Sequence, residues 1–183
     1  MPLWPDRIVP LLLTATLLGG CTGTPKGTQP VTGFELERYL GEWYEIARFD
    51  HSFERGLDCV TADYSLREDG GVRVINRGVN LAAGEVDQAE GRAYFVREED
   101  VAHLKVSFFG PFFGGYNVLV LDDDYRWALV SGPTRDYLWI LARDPELDPE
   151  VHRELVEQAD RMAFPVEEFI EVDQGERCEP WRQ

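Results

Sequence analysis

The side chains that could perform chemistry are dispersed along this sequence of 183 residues. The three histidines, His51, His103 and His152, stand singly and form none of the paired spacings that bind a catalytic metal. Three consecutive carboxylates at 122–124 suit a turn, and they lack the spaced ligands of a calcium loop. No nucleophile elbow, phosphate-binding loop or dinucleotide fingerprint occurs. The sequence therefore predicts a protein with no catalytic residues, no metal and no cofactor.

The first of the three cysteines follows an export signal. An apolar run at 8–18 is too short to span a bilayer but suits the core of a signal peptide. It leads into the residues LGGC at 18–21, which resemble the bacterial lipobox, in which the cysteine is acylated and becomes the new N-terminus. The resemblance implies a signal peptide over 1–20 and a lipid anchor on Cys21. The alternative is an ordinary secretion signal followed by an incidental cysteine.

The residues after the anchor indicate where the protein goes and how it is held. Thr22, rather than an aspartate, follows the cysteine, and this pattern implies sorting to the outer membrane. The segment 21–32 contains Gly, Pro, Thr and Lys without apolar periodicity, which predicts a flexible tether. We therefore expect an acylated chain whose folded domain faces the periplasm.

The other two cysteines are Cys59, near the start of a strand-like segment, and Cys178, in the C-terminal tail at 174–183. An exported chain folds where disulfides persist, so we expect these two residues to be bonded. On the chain-entropy model, a loop of this length contributes roughly 4–5 kcal/mol of stability. Two free thiols are the alternative.

The charge of the chain restricts its partners. Lys and Arg number 18 against 34 for Asp and Glu, giving a formal net charge of −16. Nucleic acid is excluded as a partner, and so is electrostatic adhesion to an anionic membrane surface. The hydrophobic fraction of 44% is ample for a packed core.

Short strands dominate the domain at 33–173. Residues 60–66 alternate apolar and polar side chains, a tight-turn signal follows at 69–71, and 72–79 is the return strand. Further strands are predicted at 42–49, 84–96, 103–109, 116–121, 126–131 and 137–143, which makes eight in all. Consecutive antiparallel strands in this number predict an up-and-down β-barrel, which leaves no exposed sheet edge.

One helix is predicted after the last strand. Asp148 suits the N-cap and Pro149 the first helical position. The apolar stripe of this helix is formed by Val151, Leu155, Ala159 and Met162. The fold class is therefore all-β with one C-terminal helix, which covers the outside of the barrel.

Three motifs in this pattern resemble those of the lipocalins. The first is Gly41-x-Trp43-Tyr44 at the start of strand one, the second is YRWALVSGP at 125–133, and the third is DYLWILAR at 136–143. The stretch 33–173 also resembles the bacterial outer-membrane subgroup of that family. The residues that show this second resemblance are WYEIARFDH at 43–51, KVSFFGPF at 105–112 and GGYN at 114–117.

The resemblance implies a role for several residues. The Trp43 indole would close one end of the barrel with the Arg143 guanidinium across its ring face, a contact of about 0.5–2 kcal/mol. The interior would hold one small ligand. Inward positions alternate along each strand, and parity counted from Trp43 and Trp139 predicts the ligand-binding residues Ala47, Tyr64, Val74, Phe95, Val106, Tyr116 and Trp139, to which the aromatic loop adds Phe112.

Two features leave alternatives open. The aromatic residues at 108–116 either pack a loop onto the barrel or form an apolar entrance for an acyl chain. Glu45 has the same parity as Trp43, and a buried carboxylate needs a partner. It could meet an arginine, tyrosine hydroxyls or a ligand headgroup, or a bulge could turn it outward.

The function implied by the resemblance is binding of a hydrophobic ligand, a fatty acid or lysophospholipid, for lipid storage or transport and envelope maintenance. The protein is expected to attach to the outer membrane through acylated Cys21. A structural or partner-binding envelope lipoprotein is the first alternative, and an enzyme acting on a bound lipid is the second. The subgroup also implies a possible homodimer.

Overall fold

The barrel is formed by one antiparallel sheet that closes on itself. The computed structural model describes residues 22–182, and the predicted signal peptide and Cys21 lie outside the described residues. Strands β1 to β8 follow chain order, and β1 pairs with both β8 and β2. Their bounds are Gly41–Phe49 (β1), Asp58–Leu66 (β2), Val72–Asn80 (β3), Glu85–Phe95 (β4), His103–Ser107 (β5), Gly114–Leu121 (β6), Trp127–Ser131 (β7) and Leu138–Ala142 (β8). The predicted eight-stranded barrel is confirmed.

Alternation along the strands divides the apolar side chains between two clusters. The inner cluster fills the barrel and includes Trp43, Val74 and Val130. The outer cluster lies on the opposite face of the sheet and includes Leu129 and Ile140. Because successive residues of a strand point to opposite faces, the neighbours Leu129 and Val130 belong to different clusters.

A short helix closes the barrel at the end where β1 begins. This helix, α1 (Leu36–Tyr39), directly precedes β1. Phe34 and Tyr39 are buried, and their rings lie 5.2 Å apart beneath the strands. The opposite end, where β1 ends and β2 begins, is the mouth.

The predicted C-terminal helix is α2 (Pro149–Arg161). The Asp148 carboxylate accepts a hydrogen bond from the Glu150 backbone N–H at 2.8 Å, as an N-cap residue does. Leu155 and Ala159 are fully buried against the outer cluster. The helix therefore covers the outer faces of β1 and β6 to β8.

The chain after α2 adds elements that the strand pattern did not predict. A 3₁₀ turn (Val166–Glu168) leads to β9 (Phe169–Glu171), which pairs with the upper half of β1. The Gln174 amide donates to the carbonyls of Glu45 and Val60, at 3.0 and 2.8 Å. The predicted disulfide is present between Cys59 and Cys178, which lies in a second 3₁₀ segment (Glu176–Trp181). The tail therefore fills the gap where β1 and β2 diverge.

The segment 22–32 differs from the predicted flexible tether, because it is hydrogen-bonded along the barrel wall. The His103 Nε2 atom lies 2.8 Å from the Thr22 carbonyl, and the Asn117 amide donates to the Gly23 carbonyl at 3.2 Å. Farther along, Arg135 donates to the carbonyl of Lys26. These partners are distant in sequence, so apolar periodicity carried no signal of them. Within residues 22–182, no helix has the length and apolar character needed to cross a membrane.

Candidate functional site

The closed end of the barrel is sealed by the predicted tryptophan–arginine pair. Trp43 is fully buried, and its indole N–H donates to the Tyr39 carbonyl at 2.8 Å. The Arg143 guanidinium lies 4.0 Å from the centre of the indole ring. It also donates to the carbonyls of Arg38, Leu40 and Glu42, each within 2.9 Å. Arg143 thus stacks on the indole and ties α1 to the first strand.

The lower interior is apolar and nearly full. A cavity of about 20 Å³, which is room for about one water molecule, lies between the closed end and the middle of the barrel. Its walls come from α1 and from strands β2 to β6. The lining residues are Phe34, Leu36, Tyr39, Tyr64, Val72, Val74, Ala93, Leu104, Val106 and Tyr116.

Three tyrosine hydroxyls provide the polar groups at this level. Tyr116 lies 2.7 Å from the Tyr39 hydroxyl and 2.8 Å from that of Tyr64. Burial is the main cause that raises the pKa of all three side chains above the usual tyrosine value. The hydroxyls therefore stay neutral and satisfy one another, which leaves the lower interior suited to an apolar group.

The upper interior is charged. The Arg48 guanidinium donates to Glu45 Oε1 at 2.8 Å and to the carbonyls of Glu54 and Leu57. Trp139 Nε1 donates to the carboxylate of Glu54 at 3.2 Å, and His51 Nε2 lies 3.1 Å from the same oxygen. Glu45, Arg48, His51 and Glu54 are all buried. Two residues of the segment 50–57, His51 and Glu54, therefore turn their side chains into the mouth, whereas Asp50 and Arg55 form an exposed ion pair.

Arg48 is bonded to only one of the two carboxylates of this cluster, that of Glu45. Burial raises the pKa of Glu45 well above its usual value, and the nearby charge of Glu54 raises it further. Arg48 opposes both effects and is outweighed by them. The open question about Glu45 is thus answered by Arg48, which is its direct partner.

A β-bulge changes which β1 residues face inward. The pairing of β1 with β8 shifts register between Glu45 and Ala47, so that Arg48 pairs with Trp139 and points into the barrel. The predicted ligand-binding residue Ala47 instead belongs to the outer cluster under α2, and that assignment was wrong. Strict alternation from Trp43 gave the wrong parity beyond the bulge.

The aromatic loop at 108–113 provides a second correction. Phe112, predicted to contact ligand, is 79% exposed, and Phe109 is 80% exposed. Phe108 packs against the inner cluster instead, with its ring where a Cβ on Gly91 would lie. The ring that enters the barrel is therefore that of Phe108. The sequence of this loop has four phenylalanines close together, and it does not indicate which of their rings turns inward.

The other predicted lining residues occupy the interior. Tyr64 and Val74 are buried in the inner cluster, and the partly buried residues packed against it include Phe95, Val106, Tyr116 and Trp139. In the acidic turn at 122–124, the Asp122 carboxylate accepts two hydrogen bonds from the Arg126 guanidinium, at 2.7 and 2.9 Å. Among residues 22–182, no group of three or more acidic, His or Cys side chains is arranged to hold a metal ion.

Comparison with known proteins agrees with this geometry. The family described as "Lipocalin-like domain" matches residues 34–174. The chain is 55% identical to the outer membrane lipoprotein Blc of Escherichia coli K12, over 92% of this chain and 98% of that one. It is 48% identical to the Blc protein of Vibrio cholerae, over 92% and 99%.

The solved structures add evidence on the fold. Insecticyanin from the tobacco hornworm Manduca sexta superposes with a TM-score of 0.68 at 22% identity, covering 86% of this chain and 91% of that one. At this identity the likeness concerns the fold alone. The family match and the two bacterial relatives carry the assignment of family and location. The chain therefore belongs to the lipocalin family, as a lipid-anchored binding protein of the bacterial outer membrane.

Proposed function

We propose that the barrel holds a single-chain amphiphile, a fatty acid or lysophospholipid, for lipid storage or transport in maintenance of the envelope. The observation that carries this proposal is the change in polarity along the interior. The closed half is lined by apolar side chains and neutral tyrosines, whereas the mouth half contains Glu45, Arg48 and Glu54. An amphiphile has the same division between its acyl chain and its headgroup.

The acyl chain would enter the apolar half and leave water there. Each Å² of apolar surface buried contributes roughly 25 cal/mol, so a long chain supplies most of the affinity. The cavity of about 20 Å³ is too small for such a chain with the side chains as they stand. Phe108 is the ring best able to move, because it belongs to a surface loop and fills the interior over Gly91. Ligand uptake therefore displaces Phe108.

The polar half favours a headgroup that donates hydrogen bonds. Arg48 already serves Glu45 and the carbonyls of the mouth segment, so a free fatty-acid carboxylate would compete with Glu45 for it. Asn76 faces the interior, and its Oδ1 is buried without a hydrogen-bond partner among residues 22–182. Glu54 is a further buried acceptor. The hydroxyl or ammonium group of a lysophospholipid suits these acceptors better than a carboxylate does.

Titration with oleate and with lysophosphatidylethanolamine, followed by tryptophan fluorescence, tests this function. We expect saturable binding of both, with the lysophospholipid bound more tightly. Phe108→Ala should strengthen binding several-fold, because the ligand no longer has to displace the ring. Phe112→Ala, the matched control on the same loop, should leave the dissociation constant unchanged. Absence of saturable binding in both the unmodified chain and Phe108→Ala would rule out a lipid-binding barrel.

A further inference from the structure

Three tyrosine side chains from separate elements meet inside the barrel. Tyr39 comes from α1, Tyr64 from β2 and Tyr116 from β6. The Tyr116 hydroxyl oxygen lies 2.7 Å from that of Tyr39 and 2.8 Å from that of Tyr64, so it is the centre of a linear tyrosine trio. The side chains packed around this trio belong to the apolar inner cluster. The trio therefore places three hydroxyl groups in apolar surroundings.

The tyrosine trio contains one hydrogen that its own bonds do not use. A tyrosine hydroxyl has a single hydrogen to donate, and its oxygen can also accept. Two hydrogen bonds join the three oxygens, and in every arrangement they use two of the three hydrogens. Among residues 22–182, these oxygens have no further hydrogen-bond partner. One hydroxyl hydrogen is therefore left over, although each oxygen has a partner.

An unused donor is costly in this position. Burial raises the pKa of all three tyrosines, so no hydroxyl loses its hydrogen at neutral pH. A buried donor without an acceptor forfeits the hydrogen bonds that it makes in water. The neighbouring cavity of about 20 Å³ is lined by the tyrosine rings and by apolar side chains, which supply no acceptor. The trio therefore favours an occupant of the barrel that brings an acceptor oxygen.

The tyrosine trio lies between the two halves of the ligand space. Tyr39 packs on the Trp43 indole with 4.7 Å between ring centres, so one side of the trio is at the closed end. On the other side, burial is the main cause that raises the pKa of Tyr64, and the nearby charges of Glu54 and Glu45 raise it further. These two carboxylates belong to the charged cluster at the mouth. An acyl chain that extends from the mouth toward Trp43 therefore passes the trio part-way along its length.

We propose that the tyrosine trio binds an oxygen atom on the acyl chain of the ligand. The ligand class is a fatty acid or lysophospholipid that carries a hydroxyl or keto group near the middle of its chain. The oxygen accepts the unused hydroxyl hydrogen, and the chain on either side of it contacts apolar side chains. This assignment rests on the proposed lipid-binding function and adds to it a preference among acyl chains.

Calorimetric titration with stearate and with an oxostearate, whose keto group is at the middle of the chain, tests this preference. A ketone accepts hydrogen bonds and donates none, so it matches the unused hydrogen. We expect the full chain carrying Cys21→Ser to bind the mid-chain oxostearate at least as tightly as stearate. Adding Tyr39→Phe, Tyr64→Phe and Tyr116→Phe together should weaken the oxostearate at least about fivefold relative to stearate, because the ketone loses its donor.

Two controls isolate the tyrosine trio. Tyr94→Phe removes a hydroxyl that donates to Asp69 outside the barrel, at 2.9 Å, and should leave the ratio of the two dissociation constants unchanged. An oxostearate with its keto group near the carboxyl group keeps that oxygen at the mouth, so the triple substitution should not change its ratio to stearate.

The outcomes separate this proposal from the lipid-binding function. If the ratio for the mid-chain ketone is equal in the Cys21→Ser chain and in the triply substituted chain, the oxygen site is overturned and the lipid-binding function stands. If stearate binds to neither chain, both are overturned.

Infrared spectroscopy of the bound ketone gives a second readout, which does not depend on the folding of the triple variant. The stretching frequency of an isotope-labelled carbonyl falls when its oxygen accepts a hydrogen bond. We expect the band of the mid-chain oxostearate bound to the Cys21→Ser chain to lie below its position in hexane, and to return toward that position in the triple variant. A band at the hexane position in the Cys21→Ser chain would overturn the proposal.

Discussion

Trp43 at the closed end is a residue on which the stability of the barrel depends. Trp43 is fully buried and bonded to the Tyr39 carbonyl, with Arg143 stacked on its ring. We expect Trp43→Ala to reduce the free energy of unfolding by about 3–5 kcal/mol, measured by urea denaturation. The matched control is Trp127→Ala, because Trp127 is only partly buried on the outer face. A smaller loss at Trp43 than at Trp127 would contradict the sealing role.

The ionisation of Glu45 makes the stability of the fold depend on pH, and the direction of this dependence follows from the shift of its pKa. Its pKa is raised in the folded state, chiefly by burial and then by Glu54. A raised folded pKa means that the protonated form stabilises the fold. This contribution is complete below the unfolded value of about 4.3 and is lost as the pH rises through the folded pKa.

The prediction compares the unmodified chain with Glu45→Gln by thermal denaturation between pH 5 and pH 8. Gln keeps the shape and cannot ionise, so the unmodified chain should lose stability relative to the variant as pH rises. The carboxylates with lowered pKa, such as Asp122 and Asp173, titrate below this range and cancel in the difference. A difference in melting temperature that is flat with pH would show that Glu45 stays ionised in the fold.

At the scale of elements, the strands and the main helix follow from local sequence. Alternation, turn residues and an N-cap are short-range signals, and they predicted β1 to β8 and α2 to within a few residues. The bulge in β1 has no such signal, since it is a shift in the register of pairing with β8, a strand distant in sequence. This is why Ala47 was assigned to the interior and Arg48 was missed.

The elements outside the barrel depend on contacts between distant residues. Strand β9 and the Gln174 contacts form because β1 and β2 diverge above Tyr44, which leaves unpaired backbone groups to satisfy. The N-terminal segment is held by His103 and Asn117, whose positions follow only from the folded sheet. Composition predicted flexibility there because it contains no information about these partners.

The position of the N-terminal segment can be tested with two adjacent glycines. A Cβ on Gly115 would collide with the Gly23 carbonyl, whereas a Cβ on Gly114 meets nothing within 4 Å. We therefore expect Gly115→Ala to displace the segment and to increase trypsin cleavage after Lys26 several-fold, with no change in Gly114→Ala. Equal cleavage of the two variants would show that the position of Gly23 on the barrel does not depend on its contact with Gly115.

At the scale of the whole molecule, the closed end, the interior and the mouth lie one after another along the axis of the barrel. Trp43 lies at the closed end, Trp139 bonds to Glu54 near the mouth, and the exposed aromatic loop lies at the mouth. The interior becomes more polar along this axis. A bound amphiphile should therefore lie with its acyl terminus toward Trp43 and its headgroup toward Trp139.

Brominated fatty acids test that direction, because bromine quenches indole fluorescence only at close range. A chain brominated near its methyl end should quench Trp43, and this quenching should persist in Trp139→Phe. A chain brominated near its carboxyl end should quench Trp139, and this quenching should disappear in the same variant. Trp127 and Trp181 lie in clusters on the outer surface and contribute a constant background. The opposite pattern would mean that the ligand enters headgroup first, which would require the charged cluster to accept the acyl chain.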